Sequence, residues 1–149
     1  MTDFLYINLT LAFSNLLVFP ALILQFYKGN YISFLISMWT AFFSFSYHLV
    51  ETKFKLKGIQ EELGLNSYIK SESYVWIFLN LDRIFAFICV VYHFYFFKHD
   101  ILNLKNILLL LCLNFISEIL GRVNFLNLFL FTHLLWHILA YYFLFVISL

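Results

Sequence analysis

Long apolar runs separated by short polar turns set the frame of this chain. The first run extends from about Phe4 to Tyr27, breaks at Lys28-Gly29-Asn30, and is followed by a second from about Tyr31 to Val50. A membrane-spanning helix takes roughly 20 apolar residues, so the two runs and their tight turn predict a helical hairpin. Glu51 to Ser73 is the extended polar segment and holds Lys53, Lys55, Lys57, Glu61, Glu62, Lys70 and Glu72. It reads as an extramembrane loop over 51–73; the rough helical spacing of Ile59, Leu63 and Ile69 leaves a short surface helix as the second reading. A third run spans about Tyr74 to Phe97, and the Lys98-His99-Asp100 turn leads to a fourth from about Leu102 to Leu120. Gly121-Arg122 makes the next turn, and the last run goes from about Phe125 to Leu149. The pattern predicts an all-α polytopic membrane helix bundle of about five transmembrane helices, one integral membrane domain over 1–149.

Composition removes the competing classes. The chain is 64% hydrophobic and 11% charged, whereas a soluble domain is about 45–50% apolar and about 25% charged, so there is too little polar surface to cover a water-facing globule. With 4 glycines and 1 proline, unbroken helices fit better than a barrel of alternating polar and apolar positions. A net charge of +1 with no basic cluster excludes nucleic acid, which needs a basic face. Cys89 and Cys112 lie inside apolar runs, where they pack as small hydrophobes. Asp3 stands where a secretory signal would carry basic residues, so the first run reads as a retained helix. Five spans put Lys53, Lys55, Lys57, Lys70 and Arg122 on one side and Lys28, Lys98 and Lys105 on the other, which orients the N-terminal side toward the cytosol. The expected location is a multi-pass membrane protein, with endomembrane and plasma membrane both open.

The informative residues are the polar ones inside the apolar runs. An ionisable group at the centre of a membrane helix costs about 2.5–3.5 kcal/mol even on the lenient insertion scale, so each is a functional hypothesis. Ser44 and His48 are four residues apart, as are His133 and His137, and that spacing stacks each pair on one helix face. Depth agrees independently. At 1.5 Å per residue Ser44 lies about 6 Å deeper than His48, Asp82 about 12 Å into its span, and His133 and His137 roughly 12 and 18 Å into theirs. All five converge on one layer in the half of the membrane nearest the 51–73 segment.

Three imidazoles with one open position describe a catalytic zinc site, in which the fourth ligand is a water whose pKa falls to about 7. His48, His133 and His137 supply the metal ligands, and the His pair four apart has the bite of the H-E-x-x-H helix without its Glu. Asp82 replaces that acid, either orienting a ligand or taking a proton as general base, and Ser44 holds the water or the substrate carbonyl. The competing reading is hydrogen-bonding glue between membrane helices. His93 and His99 read as interfacial residues, Arg83 as a partner of Glu118, Glu51 or lipid phosphate, and Asn114 and Glu118 as residues with a minor supporting role. Tyr47 and Trp136 read as packing residues.

Ser44-Phe45-Ser46-Tyr47-His48, Leu81-Asp82 and His133-Leu134-Leu135-Trp136-His137 together resemble the S-x-x-x-H, lone Asp and H-x-x-x-H elements of the CREST superfamily of membrane hydrolases. That superfamily includes alkaline ceramidases, the adiponectin/progestin receptors and myomaker-like proteins. The Leu-Trp-His ending is similar to the ceramidase and myomaker-like branches, and Glu51, three residues after His48, is more like the latter. The resemblance implies that His48, His133 and His137 bind Zn2+ with Ser44 and Asp82 beside it, and that the reaction is hydrolysis of a lipid amide or ester. Members have seven spans, whereas the 50 residues between Asp82 and His133 hold one, so the chain reads as a shortened form of a seven-helix fold.

The leading expectation is therefore a zinc-dependent intramembrane lipid hydrolase, catalytic through Ser44 and Asp82. Its partners are a membrane lipid as substrate and the lipid bilayer, with homo-oligomer formation left open. The alternative is a non-enzymatic, myomaker-like remodelling protein with a structural zinc, and a third is a small helical subunit without metal.

Overall fold

Pro20 shapes the first apolar run. It has no N–H for the carbonyl of Leu16, and its ring crowds that carbonyl. In the structure, a computed structural model that describes residues 2–61, 68–97, 104–123 and 125–149, helix α1 (Thr2–Ser14) accordingly gives way to a 3-10 turn over Asn15–Val18. Helix α2 (Phe19–Tyr27) then restarts with Pro20 in its first turn, where a missing donor costs nothing. The carbonyls loosened by the change are satisfied locally. Ser14 Oγ donates to Leu11 O at 2.7 Å, and Asn15 Nδ2 donates to Leu11 O and Ala12 O at 3.1 and 3.2 Å.

The turn after α2 falls on Lys28-Gly29-Asn30, as the sequence predicts. Gly29 takes φ +72°, its N–H meets Phe26 O at 3.0 Å, and Asn30 N–H reaches back to Gln25 O at 2.9 Å. This is the two-bond helix ending that favours glycine. Helices α3 (Tyr31–Glu61), α4 (Tyr68–Phe97), α5 (Leu104–Arg122) and α6 (Leu126–Ser148) complete the all-helical chain. Two boundaries depart from expectation. Where a loop was expected over 51–73, α3 runs on to Glu61 and α4 begins at Tyr68, while 62–67 lie outside the described residues. Gly121-Arg122 is the last turn of α5, not a break; the chain turns at Val123, and Phe125 N–H bonds Leu120 O at 3.0 Å. Gly121 instead allows close approach, since a Cβ there would meet the Phe129 ring at 3.2 Å.

Among the described residues, four helical stretches are long and apolar enough to cross a membrane: Leu5–Tyr27, Tyr31–Thr52, Tyr74–Phe96 and Leu126–Ser148. They match four of the five expected spans. The remaining expected span corresponds to α5. Large apolar side chains such as Trp76, Phe87, Phe115 and Phe131 are at least 64% exposed, which suits a lipid surround and not water. The interior is correspondingly polar. Ser33, Ser37, Thr40, Ser44 and His48 are all buried along one face of α3, over about 22 Å at 1.5 Å per residue. A smaller apolar core of Val18, Ala21, Leu22, Ala41, Cys89, Tyr141, Leu144 and Ile147 locks α2, α3, α4 and α6 together.

Contacts fix the arrangement. Ser33 with His93 and Thr40 with the Phe85 carbonyl set α3 and α4 antiparallel. Ser117 with His133 and Gly121 against Phe129 do the same for α5 and α6. The first rod, α1 and α2 together, lies parallel to α6 through Ser14 with His137, Asn15 with Tyr141 and Lys28 with the Leu149 carbonyl. It packs on both α3 and α6, whereas α3 and α6 have no comparable backbone packing, nor do α4 and α5.

Candidate metal centre

The gap between α3 and α6 is bridged by histidines. His48 projects from α3, while His133 and His137, one turn apart, project from α6. Ring centroids are 5.2 Å apart for His48 and His133, 5.9 Å for His48 and His137, and 4.9 Å for the α6 pair. One ring nitrogen from each lies within 4.8 Å of the others, so the three are close enough to hold a metal ion. Metal–nitrogen bonds of about 2.0–2.1 Å in a tetrahedral centre space the ligand atoms about 3.4 Å apart, so the widest pair would draw in by less than about 1.5 Å. His48 and His137 are 1% and 0% exposed. Aromatic rings collar the group: Trp136 lies 5.0 Å from His137, Phe129 5.3 Å from His133 and Tyr47 5.0 Å from His48.

Hydrogen bonding says which nitrogens face inward. Ser14 Oγ spends its single proton on Leu11 O, so toward His137 Nδ1, 2.5 Å away, it acts as acceptor. His137 Nδ1 therefore carries the proton, and its Nε2 presents a lone pair that has no hydrogen-bond partner and is buried. The same logic holds at His133. Ser117 Oγ donates to Asn114 O at 2.8 Å and accepts from His133 Nδ1 at 3.1 Å. Both nitrogens of His48 are buried without a partner. Ring nitrogens without partners, as at His48 and His137, are what a metal requires, and buried polar atoms left unsatisfied are costly without one. The residues fit a metal ion on that ground.

Ser44, one turn from His48 on the same face of α3, meets Asp82 of α4. No hydrogen bond of good geometry joins them, and Ser44 Oγ and Asp82 Oδ1 are both buried without a partner. Among the described residues, the group of converging ligand atoms consists of the three histidines, with Asp82 outside it. Arg83 pairs with Glu118 at 2.7 Å, one of the partners expected for it.

Two serines escaped the sequence reading. Ser14 sits where the 3-10 turn begins and Ser117 lies between Asn114 and Glu118, so the supporting role considered for those two residues falls to their neighbour. A polar side chain inside an apolar run was the available signal. His93 is corrected: expected at an interface, it is 1% exposed and bonded to Ser33 Oγ at 2.6 Å and the Cys89 carbonyl at 2.8 Å. His99 lies outside the described residues. Cys89 and Cys112 are free thiols, buried and exposed respectively. An apolar groove of about 680 Å³ between the first rod and α3, lined by Phe19, Phe34, Met38 and Phe45 among others, includes none of the candidate residues.

Comparison of the chain with protein-family models, curated proteins and solved structures returned no match.

Proposed function

We propose that the protein is a zinc-dependent hydrolase of membrane lipids that cleaves an acyl amide or ester bond. The observation supporting this most strongly is the meeting of three histidines, two of them fully buried with ring nitrogens that have no partner, and an unpartnered Ser44 Oγ one turn from His48. His48, His133 and His137 would hold the metal, with Ser14 and Ser117 keeping two of the rings in the ligating tautomer. Zinc bound there supplies Lewis acidity toward an acyl carbonyl and a water acidic enough to ionise near neutral pH. Asp82 accepts the proton released as water attacks the acyl carbon and delivers it to the departing amine or alkoxide. Ser44 donates a hydrogen bond to the developing oxyanion. A serine nucleophile is disfavoured, because the nearby imidazoles are engaged as ligands and cannot deprotonate it.

The near-complete burial of His48 and His137 favours a second reading, since closed zinc sites are structural. The protein would then be a non-enzymatic remodelling protein. Metal analysis of purified protein tests both readings, with about one zinc per chain expected and loss in His133→Ala and His137→Ala. Well-folded protein without metal overturns both. Lipid profiles of cells expressing wild type or Asp82→Ala separate them: higher free fatty acid, lysolipid or sphingoid base with wild type supports hydrolysis. Equal profiles with zinc retained in both support the structural role.

A further inference from the structure

Helix α4 packs along α3 and α5 along α6, but α4 and α5, consecutive in the chain, lack such packing against each other. Their backbones therefore stand farther apart than those of the packed pairs, and that separation is the opening between them. A salt bridge spans the two helices: Arg83 Nη2 of α4 donates to Glu118 Oε1 of α5 at 2.7 Å. The two side chains are 46% and 32% exposed. Arg83 lies nine residues beyond Tyr74, about 14 Å along the span at 1.5 Å per residue. Glu118 lies four residues before the end of α5, so the pair sits toward that end of the helix; a half-exposed ion pair there is expensive against hydrocarbon and marks a place where polar matter meets the bilayer. The pair also lies next to Asp82, which directly precedes Arg83 in α4.

We infer that the α4–α5 opening is a lateral portal for a glycerophospholipid, whose headgroup phosphate is bound by Arg83 while its acyl ester lies against Asp82 and Ser44. This rests on the hydrolase reading and narrows it to a substrate class. A guanidinium presents paired N–H donors that match phosphate oxygens and surrenders hydration more readily than an ammonium. Glu118 is the stand-in anion when no lipid is present: it keeps Arg83 neutralised and aimed across the opening, and phosphate displaces it. A ceramide or a diacylglycerol offers Arg83 no anion and leaves the Glu118 pair intact. Arg83 is thus a specificity-determining residue, with no part in the proton transfers assigned to Asp82.

Lipid retention tests this without relying on turnover. Purified wild type, Arg83→Gln, Arg83→Lys and Glu118→Gln are incubated in detergent with dioleoyl phosphatidylcholine or dioleoylglycerol, which differ only in the headgroup, and retained lipid is measured by mass spectrometry. Wild type is expected to prefer phosphatidylcholine. Arg83→Gln should lower its retention about tenfold, the loss of one charge-assisted contact, and leave dioleoylglycerol unchanged. Arg83→Lys should recover part of the difference, and Glu118→Gln should raise phosphatidylcholine retention by removing the competing carboxylate. Equal loss of both lipids in Arg83→Gln and Glu118→Gln would make the pair a structural latch and overturn the portal. So would phosphatidylcholine retention unaffected by Arg83→Gln. Should Arg83→Gln not fold, Glu118→Gln decides alone, and unraised retention there overturns the inference. Arg83-dependent retention without any lysophospholipid formed would sink the hydrolase reading and leave the phosphate site standing.

Discussion

A hydroxyl has one proton, and at Ser14 and Ser117 both protons go to a backbone carbonyl of the same helix. Each serine is thereby an obligate acceptor for an imidazole N–H, which fixes the tautomer of His137 and His133. Partners of this kind typically contribute 10–100-fold in metal affinity. Ser14→Ala and Ser117→Ala are therefore each expected to weaken zinc binding at least about tenfold in chelator competition, with helix content unchanged by circular dichroism. Unaltered affinity in both would remove them from the site. Asp82→Asn should behave oppositely, holding zinc as tightly as wild type while lipid turnover falls by about 10²-fold or more, the usual range for a lost general base. His48, His133 and His137 were legible in the sequence as a converging group because such residues are rare in an apolar run and each demands an explanation. Serine demands none, since it can satisfy itself on its own helix, and the partner that gives Ser14 its role is 123 positions away.

Among the elements, turn chemistry proved more legible than helix length. Lys28-Gly29-Asn30 ends α2 where expected because Gly29 alone in that stretch enters φ +72° without strain. Nothing lies within 4 Å of a Cβ built there, so the cost of Gly29→Ala is purely one of backbone conformation, about 1 kcal/mol. Thermal unfolding in detergent should show a fall of about 2–4 °C for a chain of this size, and Gly29→Asn a smaller one. Gly121 deceived for a different reason: it is helical, and its missing side chain admits Phe129, a tertiary demand that no local pattern announces. Charge misled in the same way at 51–61, where Lys and Glu suit a solvated helix as well as a loop, and α3 continues. With His93 the direction was misjudged. Its ring faces Ser33 across the α3–α4 contact instead of the boundary, and helical position alone does not tell which face a neighbour will cover.

For the whole molecule, the contacts decide how many times the chain crosses. Lys28, just after α2, bonds the Leu149 carbonyl, so the end of α6 shares a side with the α2–α3 turn. From that side α3 runs to the level of His48, and α4, antiparallel to it through Ser33 with His93, comes back. Helix α6 must therefore start on the far side, since its 23 residues rise about 35 Å at 1.5 Å each. The chain has to return between Phe97 and Leu126, and α5 is the helix described in that interval. Its 19 residues rise about 28 Å, near the roughly 30 Å of a hydrocarbon core. Despite Lys105 and Glu118, α5 is thus expected to cross, giving the five passages that the hydrophobic pattern predicted. Single cysteines at Lys28 and Val123, introduced after replacing Cys89 and Cys112, should react with a membrane-impermeant maleimide from opposite faces of sealed vesicles. Reaction of both from the same face would mean that α5 re-enters without crossing, and the antiparallel pairing of α5 with α6 through Ser117 and His133 could then not hold in the membrane.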